Sequence, residues 1–250
     1  MKHTIFIYIF LFLISASSSC HKPTLEPSCV STLLTTIENF NVFKHSSGAY
    51  YYRAKFAIDA DGSPRAYGPN DTGLDLNIHA LTNGQWVGVV TGSDGQPIIQ
   101  KQGDPYPGFF VSQTSLYDVR YEITDPRRYV DAENIPYIVM PDTLRSTMGA
   151  EIGDMAYVFN PATQKSSFAI FADTGPEKLL GEGSIYLAKA LGIANTSPRD
   201  GGLTGAVIQY IVFPKSGIGN GKHRTIVEIE QVGMIELAKI GGAENILKCF

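Results

Sequence analysis

Residues 168–193 have the sequence FAIFADTGPEKLLGEGSIYLAKALGI, which is the most informative stretch of the chain. Its first five residues are apolar and predict a buried strand that ends at Asp173. Glu182 follows nine residues later between two glycines, and Ser184 then begins a short amphipathic helix that Gly192 ends. The sequence therefore predicts two carboxylates that flank one tight, glycine-containing loop between two rigid elements. Acid/base hydrolysis of a glycosidic bond requires such an arrangement.

Short apolar segments separated by turns make up most of the remaining chain. Many short strands with few helices are typical of a mainly β barrel. Helices are predicted over residues 29–40 and 234–240. The predicted strands cover residues 50–58, 85–91, 97–100, 108–114, 135–141, 154–159, 167–172, 206–213 and 226–232.

Composition and charge restrict the class of protein. The chain has 250 residues, of which 44% are hydrophobic, and this fits one globular domain. The net charge is −4 and no run of Lys and Arg occurs, so a nucleic acid partner is excluded. His21, His45, His79 and His223 have no partner at ligand spacing, so the sequence predicts no metal and no cofactor.

The amino terminus has the pattern of an export signal. Residues 1–19 combine a basic start, an apolar run too short to span a membrane, and a small polar end before Cys20. We expect either a lipidated Cys20 at the mature terminus or ordinary signal cleavage. The protein would then be an outer-membrane or cell-surface lipoprotein, attached to the membrane only through that lipid, or a secreted protein. Residues 20–49 are predicted to be a tether and an N-terminal helix, and residues 50–250 the catalytic β-barrel domain.

The three cysteines agree with export. If Cys20 carries lipid, Cys29 and Cys249 remain as a pair near the two mature ends. In an oxidising compartment they would form a disulfide, and the alternative is two free thiols.

The sequence also resembles a known family. The tripeptide DTG at 173–175, the tetrapeptide GEGS at 181–184 and LAKA at 187–190 look like the active-site segment of the chitosanases of glycoside hydrolase family 75. This resemblance implies that Asp173 and Glu182 are the catalytic carboxylates and that the reaction inverts the anomeric centre. Glu182 is assigned as the acid and Asp173 as the base. Further similar segments are DADG at 59–62, QWVG at 85–88, PGFFVS at 107–112 and IQYIVF at 208–213.

Residues 130–187 resemble a second pattern, that of the double-psi β-barrel, a six-stranded barrel found in several glycan-cleaving enzymes. The fold class implied is a mainly β, double-psi β-barrel-like single domain with a few short helices.

Acidic and aromatic side chains elsewhere are candidates for substrate binding. Asp59 and Asp61 share one turn, where they are either solvated or form a negative wall for the ammonium groups of glucosamine. The turn lacks the downstream ligands of a calcium loop. Trp86 and Tyr106 are candidate stacking platforms for sugar rings, and packing in the core is the alternative role.

The tripeptide Asp-Thr-Gly occurs twice, as it does in aspartic proteases. The first copy, at 71–73, follows no apolar strand, and neither copy continues into Ser or Thr. An aspartic protease is therefore disfavoured, and no Gly-x-Ser-x-Gly elbow for a serine nucleophile occurs.

The function predicted from the sequence is an endo-chitosanase that hydrolyses β-1,4 links of chitosan or a related glucosamine polysaccharide with two carboxylates. A peptidoglycan-cleaving double-psi barrel enzyme is an alternative, in which a single Asp suffices. A non-catalytic glycan-binding lipoprotein is another, and it would tolerate substitution of both carboxylates.

Overall fold

A computed structural model describes residues 29–250 of the chain. The predicted signal segment and Cys20 lie outside the described residues. None of the helices in the described part has the length and apolar character needed to cross a membrane.

Most regular structure is β, and helices are short with one exception. The strands are β1 (Ser31–Ile37), β2 (Phe40–His45), β3 (Tyr50–Asp59), β4 (Leu81–Thr82), β5 (Gln85–Trp86), β6 (Tyr137–Pro141), β7 (Met155–Asn160), β8 (Lys165–Gly175), β9 (Glu182–Ser184) and β10 (Leu203–Phe213). The helices are α1 (Asp142–Met148), α2 (Ile185–Ala190), α3 (Ile226–Lys239) and α4 (Glu244–Leu247).

Six strands close into a barrel in the order β3-β10-β7-β8-β6-β9, and β9 pairs back onto β3. The pairs β8–β6 and β9–β3 are parallel, whereas the other neighbours are antiparallel. The predicted mainly β fold with a double-psi-like barrel is thus confirmed. The hairpin β1–β2 extends the same sheet, because β2 pairs with the first residues of β3.

Both faces of the sheet are covered by apolar side chains. Alternate residues of β3, including Tyr52 and Phe56, belong to one cluster, in which Tyr52 stacks on Tyr210 with ring centroids 4.8 Å apart. Tyr51 and Val139 belong to a second cluster, which the carboxyl-terminal helices cover. The strands are therefore rigidly packed on both sides, and residues at their ends hold fixed positions.

The helix predicted over residues 29–40 is wrong, because this segment forms β1 and the turn into β2. The spacing of Leu33, Leu34 and Ile37 suggested a helix. In the structure a register shift between Leu33 and Thr35 gives the strand its irregular spacing. The Thr-rich, β-branched composition of β1 favours the strand.

The strand predicted over residues 226–232 is also wrong, since it begins α3. Thr225 and Glu228 form a reciprocal capping box at the start of this helix. The helix continues through the predicted closing helix at 234–240, and Gly233 lets it lie directly against Phe168: a Cβ at this glycine would be 2.3 Å from the ring.

A disulfide joins Cys29, just before β1, to Cys249, just after α4, with their Cα atoms 5.5 Å apart. Beside it, the ring of Phe250 packs edge-on against Tyr51. The two ends of the described chain are therefore joined at the start of β3.

The long connection between β3 and β6 contains little regular strand. The predicted strands at 85–91 and 108–114 are reduced to β5 and isolated bridges such as Val89–Ser112. This connection supplies many of the residues that surround the candidate site.

Candidate active site

Asp173 and Glu182 lie on either side of one strand. Asp173 of β8 and Glu182 of β9 are both Cα partners of Val139 in β6. Two strand spacings separate their backbones, which amounts to about 10 Å. Asp173 lies near the end of β8 and Glu182 begins β9, so the two carboxylates flank the loop between these strands. The sheet therefore fixes the positions of both residues.

The carboxylate of Asp173 is buried and held by hydrogen bonds. Its side chain is 8% exposed. Oδ1 accepts hydrogen bonds from the Ser115 hydroxyl at 2.6 Å and from the Ser115 and Thr174 backbone amides at 3.0 and 2.8 Å. Burial raises the pKa of Asp173 to about 6, while the donors from Ser115 and Thr174 oppose that rise. Asp173 thus has a raised pKa and a fixed orientation.

Glu182 has a pKa raised further, to about 7. Burial is the main cause and the neighbouring charge of Asp173 adds to it, while Lys55 opposes it. A glycine makes room for this side chain, because a Cβ at Gly175 would lie 3.2 Å from Glu182 Oε2. The two carboxyl groups therefore differ in environment and in proton affinity.

Asp59 ends β3 and interacts electrostatically with this pair. Its Oδ1 accepts a hydrogen bond from the Asp61 amide at 2.8 Å. The Tyr137 hydroxyl lies 3.0 Å from Asp59 Oδ2 and 2.9 Å from the carbonyl oxygen of Asp61. Burial raises the pKa of Asp59 well above its usual range, and the charges of Glu182 and Asp173 raise it further.

Asp61 faces the cleft. Burial and then the charge of Asp59 raise the pKa of Asp61, whereas a hydrogen bond from Tyr67 lowers it. Its Oδ1 is buried and has no hydrogen-bond partner among the described residues. Gly88 makes room for this carboxyl, because a Cβ there would lie 2.9 Å from Oδ1. Asp61 thus offers an unused acceptor in the site.

An open cleft of about 520 Å³ lies against two of these carboxyl groups, those of Asp61 and Asp173. Asp61 and Asp173 line one side of it, and Arg128 stacks on the Tyr117 ring, 4.3 Å from its centroid. Glu182 is not among the lining residues. The side chains that line the cleft include Asp61, Gln113, Ser115, Tyr117, Arg128, Tyr129 and Asp173.

The two predicted stacking platforms lie outside this lining. Trp86 is half-buried and packs edge-on against Phe110 at 5.7 Å. Tyr106 is exposed and contacts Phe109 and the Arg65 guanidinium. Their roles in substrate binding stay predictions.

Several residues of the site were missed by sequence reasoning. Tyr117 and Tyr129 supply the aromatic faces of the cleft, and Ser115 and Tyr137 hold the acidic groups. None of these residues lies in a motif. Ser115, Tyr117 and Tyr129 belong to the long connection, whereas Tyr137 begins the barrel strand β6. Within residues 29–250, no group of three or more His, Cys, Asp and Glu side chains is arranged to hold a metal ion.

A buried and a half-buried carboxyl group, both with raised pKa values and one of them lining an open cleft, are typical of a glycoside hydrolase. A comparison with protein-family models matches residues 57–242 to a family described as fungal chitosanase of glycosyl hydrolase group 75. Because the match spans most of the chain, the chain belongs to this family, and the resemblance seen in the sequence is confirmed. A comparison with curated proteins finds no match.

Proposed function

We propose that this protein is an endo-chitosanase that hydrolyses β-1,4 links with inversion, using Asp173 and Glu182. The observation that carries this proposal is the placement of the two carboxyl groups on either side of β6, with pKa values of about 6 and 7. Inverting enzymes separate their carboxyl groups by about 6.5–9.5 Å to admit a water molecule. Backbones about 10 Å apart are compatible with that separation.

The environments of the two groups support different roles. Glu182 has the higher pKa and keeps its proton at mildly acidic pH, so it would protonate the leaving glycosidic oxygen. Asp173 receives three hydrogen bonds at Oδ1, which stabilise its ionised form. It would take a proton from the water that attacks the anomeric carbon as the glycosidic bond breaks.

The cleft is suited to a glucosamine polymer. At mildly acidic pH the amino groups of such a polymer carry positive charge, and the acidic residues Asp61 and Asp173 line the cleft that would receive them. Tyr117 and Tyr129 offer aromatic surface to the apolar faces of sugar rings. Chitosan is therefore the substrate that we propose.

The first experiment measures the reducing ends that the full chain releases from soluble chitosan at mildly acidic pH. Glu182→Gln and Asp173→Asn are each expected to lower kcat by about 10²–10⁴-fold. Glu177→Gln is the matched control, because Glu177 is an exposed carboxylate in the same loop and, within residues 29–250, bonds only to Thr143. Proton NMR of the first product would reveal inversion by the anomer that appears first.

The same assay distinguishes the alternatives. Peptidoglycan run in parallel would be cleaved, and Glu182→Gln tolerated, if the protein were a peptidoglycan-cleaving barrel enzyme. Binding to chitosan without any release of reducing ends would identify a glycan-binding protein. Either result would overturn the chitosanase proposal.

We also propose export with a lipid on Cys20, which rests on the sequence of residues 1–20 alone. Metabolic labelling with a radioactive fatty acid tests this, and the label should be lost in Cys20→Ser. A wild-type chain that takes up no label would contradict lipidation.

A further inference from the structure

The hydroxyl of Tyr137 has one proton to donate but two possible acceptors beside it. It lies within hydrogen-bond distance of Asp59 Oδ2, at 3.0 Å, and of the Asp61 carbonyl oxygen, at 2.9 Å. The carbonyl oxygen can only accept a hydrogen bond. If Asp59 were ionised, both neighbours would compete for one proton, and a buried acceptor would be left without a full hydrogen bond.

One protonation state gives a hydrogen-bond partner to the Tyr137 hydroxyl, to both carboxyl oxygens of Asp59 and to both backbone groups of Asp61. We propose that Asp59 is held as a neutral carboxylic acid that donates from Oδ2 to Tyr137, which in turn donates to the Asp61 carbonyl oxygen. Oδ1 of Asp59 is then the carbonyl-type oxygen, and it accepts the Asp61 amide at 2.8 Å. Asp59 is thus a positioning residue, which holds both backbone groups of Asp61 and so aims the Asp61 carboxyl into the cleft.

The charges around Asp59 favour the same state. Glu182 faces it from β9, Asp173 from β8 and the Asp61 carboxyl from its own turn, and each disfavours a further negative charge. Of these neighbours, only Tyr137 on β6 is uncharged and within hydrogen-bond distance of Asp59. Its hydroxyl oxygen can therefore accept a hydrogen bond from protonated Asp59. The side chain of Asp59 is 8% exposed, so water does not compensate for ionisation.

The consequence concerns the charge beside the two carboxylates that we propose for catalysis. A neutral Asp59 adds no negative charge beside Glu182. An ionised Asp59 would raise the pKa of Glu182, and removing that charge would lower this pKa again. The charge state of Asp59 therefore decides what the isosteric variant Asp59→Asn does to the pH–rate profile.

Asp59→Asn imitates the protonated acid, because its amide donates to Tyr137 and its carbonyl oxygen accepts from Asp61. We expect the alkaline limb of its pH–kcat profile to coincide with that of the wild type. Asp59→Ala removes both hydrogen bonds and should have a kcat at least about ten-fold below that of Asp59→Asn. A move of the alkaline limb to lower pH in Asp59→Asn, or equal losses in the two variants, would overturn the proposal.

A second measurement needs no variant enzyme to be active. In the wild-type full chain labelled with ¹³C at the aspartate carboxyl carbons, the Asp59 signal is assigned by its loss in Asp59→Asn or, if that variant does not fold, in Asp59→Glu. We expect this signal to keep its protonated position through about pH 7, where ordinary carboxyl groups are ionised. A titration midpoint near the usual value of about 4 would overturn the proposal. The rate measurements rest on the proposed chitosanase activity. The NMR signal reports the protonation state of Asp59 even if chitosan is not cleaved.

Discussion

Ser115 holds Asp173 with two groups at once: its hydroxyl and its backbone amide both donate to Asp173 Oδ1, at 2.6 and 3.0 Å. Ser115 belongs to the long connection between β3 and β6, whereas Asp173 is on the barrel. The connection and the barrel are therefore linked at the carboxylate that we propose as the base. The hydrogen bond from the serine hydroxyl opposes the rise of the Asp173 pKa more strongly than any other interaction.

Ser115→Ala should therefore raise the pKa of Asp173 further. A base with a higher pKa is protonated at a higher pH, so the acid limb of the kcat/KM profile should move to higher pH. Loss of a hydrogen bond to a charged group, about 1.5–3 kcal/mol, corresponds to a shift of about one to two pH units. Gln113→Ala, a change in the same segment at a side chain that bonds only to the Val87 carbonyl, is the control. An acid limb that stays in place in Ser115→Ala would contradict the role given to Ser115.

Gly175→Ala should disturb the second carboxyl group. The added Cβ would lie 3.0 Å from Val139 Cγ1 and 3.2 Å from Glu182 Oε2, so the Glu182 side chain must move. A displacement of this kind is expected to lower kcat roughly 10- to 100-fold. Chitosan hydrolysis measures the effect, circular dichroism checks the fold, and Pro176→Ala at the exposed next residue is the control. Full activity in Gly175→Ala would show that the observed position of Glu182 is not required.

The raised pKa of Glu182 predicts a dependence of stability on pH. Its folded pKa of about 7 lies above the ordinary value of 4.5, so its contribution to folding is complete below about pH 4 and is lost as the pH rises through 7. Glu182→Gln removes this loss. We expect the free energy of unfolding to match the wild type at pH 4 and to exceed it by about 1–3 kcal/mol at pH 8.

Chemical denaturation at the two pH values measures this difference, with the exposed Glu177→Gln as the control. An equal effect of Glu182→Gln at both pH values would mean that folding does not raise the pKa of Glu182.

The disulfide predicts a separation of stability from activity. Cys29 contacts Tyr51 near the start of β3, and Asp59 ends that strand about 26 Å away. Replacing Cys29 and Cys249 by Ser should lower the free energy of unfolding by about 2–4 kcal/mol. It should leave kcat unchanged below the unfolding transition. Urea titrations with and without a reducing agent measure this, and reduction should destabilise the wild type alone. A lower kcat in the folded double variant would show that the disulfide also supports the cleft.

The sequence predicts the centre of the fold better than its ends. The apolar run before Asp173 has one structural solution, a buried strand, and β8 confirms it. Residues 226–232 are β-branched and suggested a strand, although Thr225 and Glu228 carry the sequence signal of a helix start. In that segment the local capping pattern was more informative than β propensity.

The candidate site likewise contains residues that the sequence predicts and residues that it does not. Asp173 and Glu182 are close in sequence, and the motif around them is sufficient to single them out. Ser115 and Tyr137 reach the acidic group from 58 residues before Asp173 and 78 residues after Asp59. The contact of Ser115 depends on how the long connection folds over the barrel, and that of Tyr137 on how β6 and β3 come together in the barrel. No local pattern encodes either contact. The aromatic lining by Tyr117 and Tyr129 was missed for the same reason.

The bond between Cys29 and Cys249 also bears on how the chain could be reordered. Since their Cα atoms are 5.5 Å apart, a short peptide linker could connect the two ends of the domain. New ends could then be opened at the exposed turn of residues 92–95, away from the strands of the barrel. A circular permutant of this domain is therefore geometrically permitted. In such a permutant the strands would follow a different order along the chain but pair in the same way.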